Sequence, residues 1–122
     1  ERIAHACFDQ MWVAEAPVII VVATNIILST SKYKHRGEKL YGIQGTSAAI
    51  ENMLIAAESL GIGSAWIGGF SERAVSILTA CPDYVRPCAV LTFGYPGEES
   101  IMPTRQELKE FVHQEHLQCA PK

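Results

Sequence analysis

The stretch from Thr46 to Leu60 constrains this chain more than any other, because read as a helix it leaves almost no polar face. Thr46 or Ser47 supplies an N-cap, and Gly61 supplies the left-handed residue at which many helices stop. Between them, Ala48, Ala49, Ile50, Met53, Leu54, Ile55, Ala56, Ala57 and Leu60 are apolar, while Glu51, Asn52, Glu58 and Ser59 form one narrow stripe. Such a helix needs cover on nearly every side. With 122 residues, 48% of them apolar and 19% charged, the chain has the makings of one compact domain. A domain of this size hides roughly two-thirds of its unfolded surface, too little to wrap that helix as well. The expectation is therefore a partner subunit, with sequence outside this chain as the alternative cover.

The net charge of −3 argues against a protein that grips phosphate backbones, so no nucleic-acid partner is expected. The longest apolar stretch, Ala16 to Ala23, falls far short of the roughly 20 residues of a membrane helix. With no membrane segment and no leader in view, a cytoplasmic protein is expected. Cys7, Cys81, Cys88 and Cys119 form no C-x-x-C pair and read as reduced thiols, although Cys81 and Cys88 flank Pro82 and Pro87 closely enough to approach each other.

From Glu1 to Glu15, Ile3, Cys7, Phe8, Met11 and Trp12 recur at helical spacing, and Pro17 ends the pattern. The β-branched run Pro17 to Ala23 predicts a strand covered on both faces and central in its sheet. Residues 25–45 carry Lys32, Lys34, Arg36 and Lys39 against Glu38 and are interrupted by Gly37, Gly42 and Gly45, which predicts a mobile excursion with at most a short helix. Ser71 caps a short helix to about Leu78, and Cys88 to Phe93 reads as a second buried strand. Thr104 and Glu107 have capping-box spacing ahead of a last helix with Leu108, Phe111 and Val112 on its apolar stripe. This order of elements predicts a mixed α/β (α+β) fold, a sheet flanked by helices.

Chemistry-bearing motifs are few. Gly61-x-Gly63 begins like a dinucleotide fingerprint, but Trp66 occupies the third glycine's place and the motif follows a helix instead of a strand. Ser64 lacks the setting of a hydrolase nucleophile. Ile67-Gly68-Gly69 offers bare backbone on which a flat ligand can lie and take hydrogen bonds from main-chain amides, or else these glycines only let the chain turn between two helices. Arg105, in the first turn of the last predicted helix, suits a phosphate, or is an ordinary surface arginine. His113 and His116 share that helix without a third metal ligand, and Asp9, Glu15, Glu51 and Glu58 show no pairing for acid–base work. Neither a metal site nor a catalytic side chain is expected.

Taken together, Ala16-Pro-Val-Ile-Ile-Val-Val22, Tyr33-Lys-His-Arg-Gly-Glu-Lys-Leu-Tyr-Gly-Ile-Gln44, Ala48-Ala-Ile-Glu-Asn-Met-Leu-Ile-Ala-Ala57, Leu60-Gly-Ile-Gly-Ser-Ala-Trp-Ile-Gly-Gly-Phe70, Arg86-Pro-Cys-Ala-Val-Leu-Thr-Phe-Gly-Tyr-Pro96 and Pro103-Thr-Arg105 resemble the nitroreductase family of flavin enzymes. The resemblance implies a mixed sheet flanked by helices in an intertwined homodimer, with FMN at the subunit seam and NAD(P)H as electron donor. It implies that Trp66, Ile67, Gly68 and Gly69 line the flavin, with main-chain amides near Gly68 and Gly69 at its N5 and O4 edge, and that Arg105 holds the FMN phosphate. The family reaction is a two-step hydride transfer to a small-molecule acceptor, a nitroaromatic, quinone or related compound, with no side chain required as acid or base. A non-catalytic dimerisation or ligand-binding module of the same fold is the alternative. Gly45 stands where the family usually has an acid, and the family's opening arginine- and serine-bearing segment has no counterpart here. The chain is thus expected to lack an N-terminal portion and, by itself, to bind FMN weakly.

Overall fold

The computed structural model describes residues 1–99 and 101–114. Three strands form one sheet in the order β1-β3-β2: β1 is Val18–Asn25, β2 Gly63–Ile67 and β3 Val85–Gly94. Both pairings are antiparallel, with Val18 opposite Phe93 and Val21 opposite Val90 on one side of β3, and Gly63 opposite Gly94 and Trp66 opposite Leu91 on the other. A register shift between Val22 and Ala23 marks a bulge in β1. The helices are α1 (Arg2–Ala6), α2 (Ile26–Arg36), α3 (Gly42–Ser59) and α4 (Glu72–Leu78).

The sheet is covered on both faces. Val90 and Ile67 pack with Ala4, Ala6, Cys7, Val13 and Val75 under α1 and α4, while Ala89 and Leu91 pack with Ile50, Met53 and Leu54 of α3. Alternation along β1 sends Ile19 and Val21 to the first cluster and Ile20 and Val22 to the second, which is why the run is apolar without interruption. Double-sided cover is therefore as the sequence predicts, but among the described residues β1 is an edge and β3 is central. Continuous hydrophobicity reports what lies above and below a strand, not what hydrogen-bonds beside it.

Four further expectations are corrected. The N-terminal helix breaks at Phe8 and Asp9, both at positive φ (55° and 60°), and resumes only as a 3₁₀ turn over Met11–Glu15. Residues 25–41 are wound, not open: Asn25 caps α2 by accepting from the Leu28 amide at 3.1 Å, and a wider π turn over Gly37–Tyr41 leads directly into α3. Helix α3 starts at Gly42, so Thr46 is no cap; its hydroxyl instead donates to the carbonyls of Gly42 and Ile43 at 3.1 and 2.8 Å. The last helix is reduced to a 3₁₀ turn over Leu108–Glu110, with Leu108, Phe111 and Val112 all exposed. A capping box supplies only local hydrogen bonds, and a short helix without a buried face is marginal. Gly61 ends α3 at φ 69° as anticipated, and the Ser71 hydroxyl accepts from the Ala74 amide at 3.3 Å to cap α4. Expectations for His116 and Cys119 lie outside the described residues.

Candidate functional site

The glycine-rich run is a strand and the loop leaving it, not a turn between two helices. Gly63 to Ile67 form β2, and residues 68–71 carry the chain into α4. Because side chains alternate along a strand, Ile67 points into the core under α1 and α4, where it is buried. Trp66 lies on the α3 face, opposite Leu91 in the register, and stays 42% exposed. Ile67 can therefore meet a ligand only through its backbone, whereas Trp66 presents its ring.

The loop is held from behind. Gln10 Nε2 donates to the carbonyls of Cys7 at 2.8 Å and Gly69 at 3.2 Å, and the Ser71 amide donates to the Ala6 carbonyl at 2.8 Å. The break at Phe8 and Asp9 is what brings Gln10 there; His5 Nδ1 and Asp9 Oδ1, 2.7 Å apart, close that turn. Its outer side is open: a Cβ at Gly68 would meet nothing within 4 Å. Among the described residues the Gly69 amide donates to no backbone carbonyl. Bare, pinned backbone with an amide to offer is the chemistry a flat polar ring edge requires.

Beside Gly68 a cavity of about 120 Å³ is lined by Ile43, Phe70, Glu72, Arg86 and Cys88. Its volume suits a few waters and not a ring system, so a flat ligand on Gly68 must lie along the open surface. Arg86 Nε and Nη2 donate to the two Glu72 oxygens at 3.0 and 2.8 Å, a bidentate pair that ties β3 to the start of α4 across this cavity. Those hydrogen bonds hold the Glu72 carboxyl below its ordinary value, against the opposing effect of burial. A roomier groove of about 620 Å³, lined by Arg73, Ile77, Cys81 and Asp83 among others, contains none of the residues expected to meet a flavin.

Trp66, Gly68 and Gly69 are all exposed at the end of β2 and in the loop leaving it, while Arg105 lies in a separate, C-terminal segment. Arg105 is exposed in a segment without regular structure, so the helix amides expected beside it do not form, and no hydrogen bond or ion pair among the described residues joins it to the loop. Cys7, Cys81 and Cys88 are free thiols; burial pushes Cys7 up from its ordinary value. Among the described residues no three His, Cys, Asp or Glu side chains gather as a metal site. No described helix is long and apolar enough to cross a membrane. Sequence reasoning missed Gln10 and the Arg86–Glu72 pair. The pair's partners lie fourteen residues apart on different elements, and nothing local signals such a contact.

Comparison with known proteins identifies the family and the fold. The model of the nitroreductase family matches residues 2–95. A Methanothermobacter thermautotrophicus protein named as an NADH dehydrogenase/NAD(P)H nitroreductase is 37% identical over 92 residues, covering 70% of this chain and 44% of that protein. The oxygen-insensitive NADPH nitroreductase of Salmonella typhimurium is 33% identical over 81 residues, covering 65% of this chain and 34% of its own length. This chain therefore spans between a third and a half of these curated relatives. In fold, nitroreductase A of Vibrio parahaemolyticus superposes with a TM-score of 0.86 at 22% identity, over 98% of this chain and 55% of the other.

Proposed function

The chain belongs to the nitroreductase family, and from that premise we propose that the protein is an FMN-dependent oxidoreductase that draws on NAD(P)H to reduce nitroaromatic, quinone or related acceptors. The observation that carries the reading is the loop leaving β2, where the backbone at Gly68 is open to a flat group and the Gly69 carbonyl is fixed from behind by Gln10. These residues fit a flavin edge: no side chain stands in the way, and main-chain amides lie where negative charge on a ring can be met by fixed donors. When bound, FMN supplies the hydride and electron chemistry that no side chain here provides. In this proposal Trp66 flanks the ring, Ile67, Gly68 and Gly69 contribute backbone, and Arg105 binds the phosphate once the remainder of the site orders it.

A homodimer belongs to the same proposal. On α3 only Ile50, Ala57 and Gly42 are buried, while Ile55 is 59% exposed and Leu60, just past its C-terminal end, 71%. Exposed apolar surface of this kind on a helix is the mark of an interface. The nicotinamide donor makes the cytoplasm the proposed location.

The test uses the protein as its source makes it. A flavin absorbance band that bleaches when NADH or NADPH is added supports the reading, whereas colourless protein that takes up no FMN favours a binding module without turnover. In the same preparation Arg105→Ala should weaken FMN binding about tenfold or more through the lost phosphate contact; an unchanged titration would remove Arg105 from the site.

A further inference from the structure

The excursion between β1 and α3 carries a second arrangement that the flavin loop does not use. Lys32, Lys34, Arg36 and Lys39 against Glu38 make it strongly basic in a chain whose net charge is −3. Of these cations Lys39 is paired with Glu38 at 3.4 Å. Two others are seated on tyrosines: Lys32 Nζ lies 5.2 Å from the Tyr33 ring centroid, and the Arg36 guanidinium 5.1 Å from that of Tyr41. Arg36 Nε also donates to the Tyr41 hydroxyl at 2.9 Å, and the two rings meet edge to face at 5.1 Å.

This cluster is built by the backbone. Helix α2 breaks at Lys34 (φ 50°, ψ −137°), and Tyr33 and Tyr41, on opposite sides of the break, come together because the chain folds back at Gly37. A Cβ at Gly37 would stand 1.9 Å from the Ser29 carbonyl oxygen, so only glycine permits that approach. A strained lysine and an obligatory glycine hold two exposed aromatic rings and two cations within a few ångströms.

Its place in the fold is equally specific. Asn25 and Val85 pair at the end of the sheet from which α2 departs, and the Ile26 amide donates to the Tyr84 carbonyl at 2.8 Å. Gly68 leaves β2 toward that same end, next to Arg86 and to Ile43 at the start of α3. The excursion also returns to that end of the sheet, where a Cβ at Gly42 would stand 2.7 Å from Thr24 Oγ1. The cluster and the flavin loop therefore share one end of the sheet.

Resting on the oxidoreductase reading above, we propose that Lys32, Arg36, Tyr33 and Tyr41 form the subsite for the adenosine-phosphate end of the nicotinamide donor, and that they select the 2′-phosphorylated dinucleotide. The cations match a phosphate in charge and hydrogen-bond donors, the tyrosines offer faces to a purine, and a basic patch on an acidic protein concentrates anions locally.

The proposal is tested on the natural protein by equilibrium titration with adenosine 2′,5′-bisphosphate and, separately, adenosine 5′-monophosphate. The bisphosphate should bind about tenfold or more tightly than the monophosphate, and the Lys32→Gln, Arg36→Gln double variant should abolish the difference. Both side chains are exposed, so the variant should keep its circular dichroism and melting profile. In turnover, the ratio of KM for NADPH to KM for NADH should rise about tenfold in that variant. Equal binding of the two nucleotides, or a preference that survives the double substitution, overturns the proposal. If NADH bleaches a flavin but the variant leaves the KM ratio alone, this subsite falls and the oxidoreductase reading stands. If no donor bleaches a flavin, that reading falls, while the titration still decides the subsite.

Discussion

Single glycines separate structure from chemistry in this protein. At Gly37 an added methyl group would collide with the Ser29 carbonyl at 1.9 Å, whereas at Gly68 it would meet nothing within 4 Å. Gly37→Ala should thus lower stability by about 1–3 kcal/mol, and Gly68→Ala should change it by less than about 0.5 kcal/mol while weakening FMN binding; urea unfolding and a flavin titration read the two effects. The Arg86–Glu72 pair makes a different kind of prediction. Arg86 depresses the Glu72 carboxyl, so the pair's contribution is present above the unfolded pKa of about 4.3 and disappears as pH falls through the lower folded value. Both partners are half-exposed, and water screens them. Glu72→Gln should therefore cost no more than about 1 kcal/mol at pH 7 and progressively less as the pH falls through the lowered folded value, measured by denaturation at neutral and at acid pH. At this scale the glycine run was legible as bare backbone, because residue type alone removes the side chain. That Gln10 would hold it was not, since the contact depends on a left-handed turn at Phe8 and Asp9 that no glycine or proline announces.

Elements were legible where the local signal and the buried face agree. Helix α3 with its stop at Gly61, the Ser71-capped α4 and strand β3 all carry apolar patterning that meets a buried face, although the expected Thr46 cap of α3 does not form. Strand β2 was not legible: it is short, begins at Gly63 and runs straight into Gly68 and Gly69, so its composition reads as a turn although β3 offers it a partner. The last helix erred in the opposite sense, with good capping residues but, among the described residues, no buried face: Leu108, Phe111 and Val112 are exposed. Helix α3 also supplies a direct test of its two faces. Ile50 is fully buried against Ala89 and Leu91, and Ile55 is 59% exposed. Ile50→Ala should destabilise the fold by about 2–5 kcal/mol. Ile55→Ala should leave the isolated chain within about 0.5 kcal/mol and instead loosen self-association, visible as a shift toward monomer in sedimentation equilibrium.

For the molecule as a whole, the open face of α3 and the exposed Trp66 lie on the same side of the sheet, so a partner over α3 would also approach the loop leaving β2. The chain spans between a third and a half of the curated relatives quoted above. The expected outcome is that this stretch alone binds FMN weakly, while the natural protein binds it stoichiometrically; tight binding by the 122 residues would show that Trp66 to Gly69 and their surroundings suffice.

The residues by themselves determined the two-sided cover of the strands and a helix apolar on nearly every face, because composition and spacing fix which surfaces must leave water; the family was legible through the resemblance of its motifs. Only the tertiary structure decided that β3 and not β1 is central, that the glycine run emerges from a strand, and that Tyr33 and Tyr41 meet across a broken helix. The first two outcomes depend on pairing between strands distant in sequence, and the third on a backbone break at Lys34 and a close approach at Gly37; none of these energies is written in one segment's pattern.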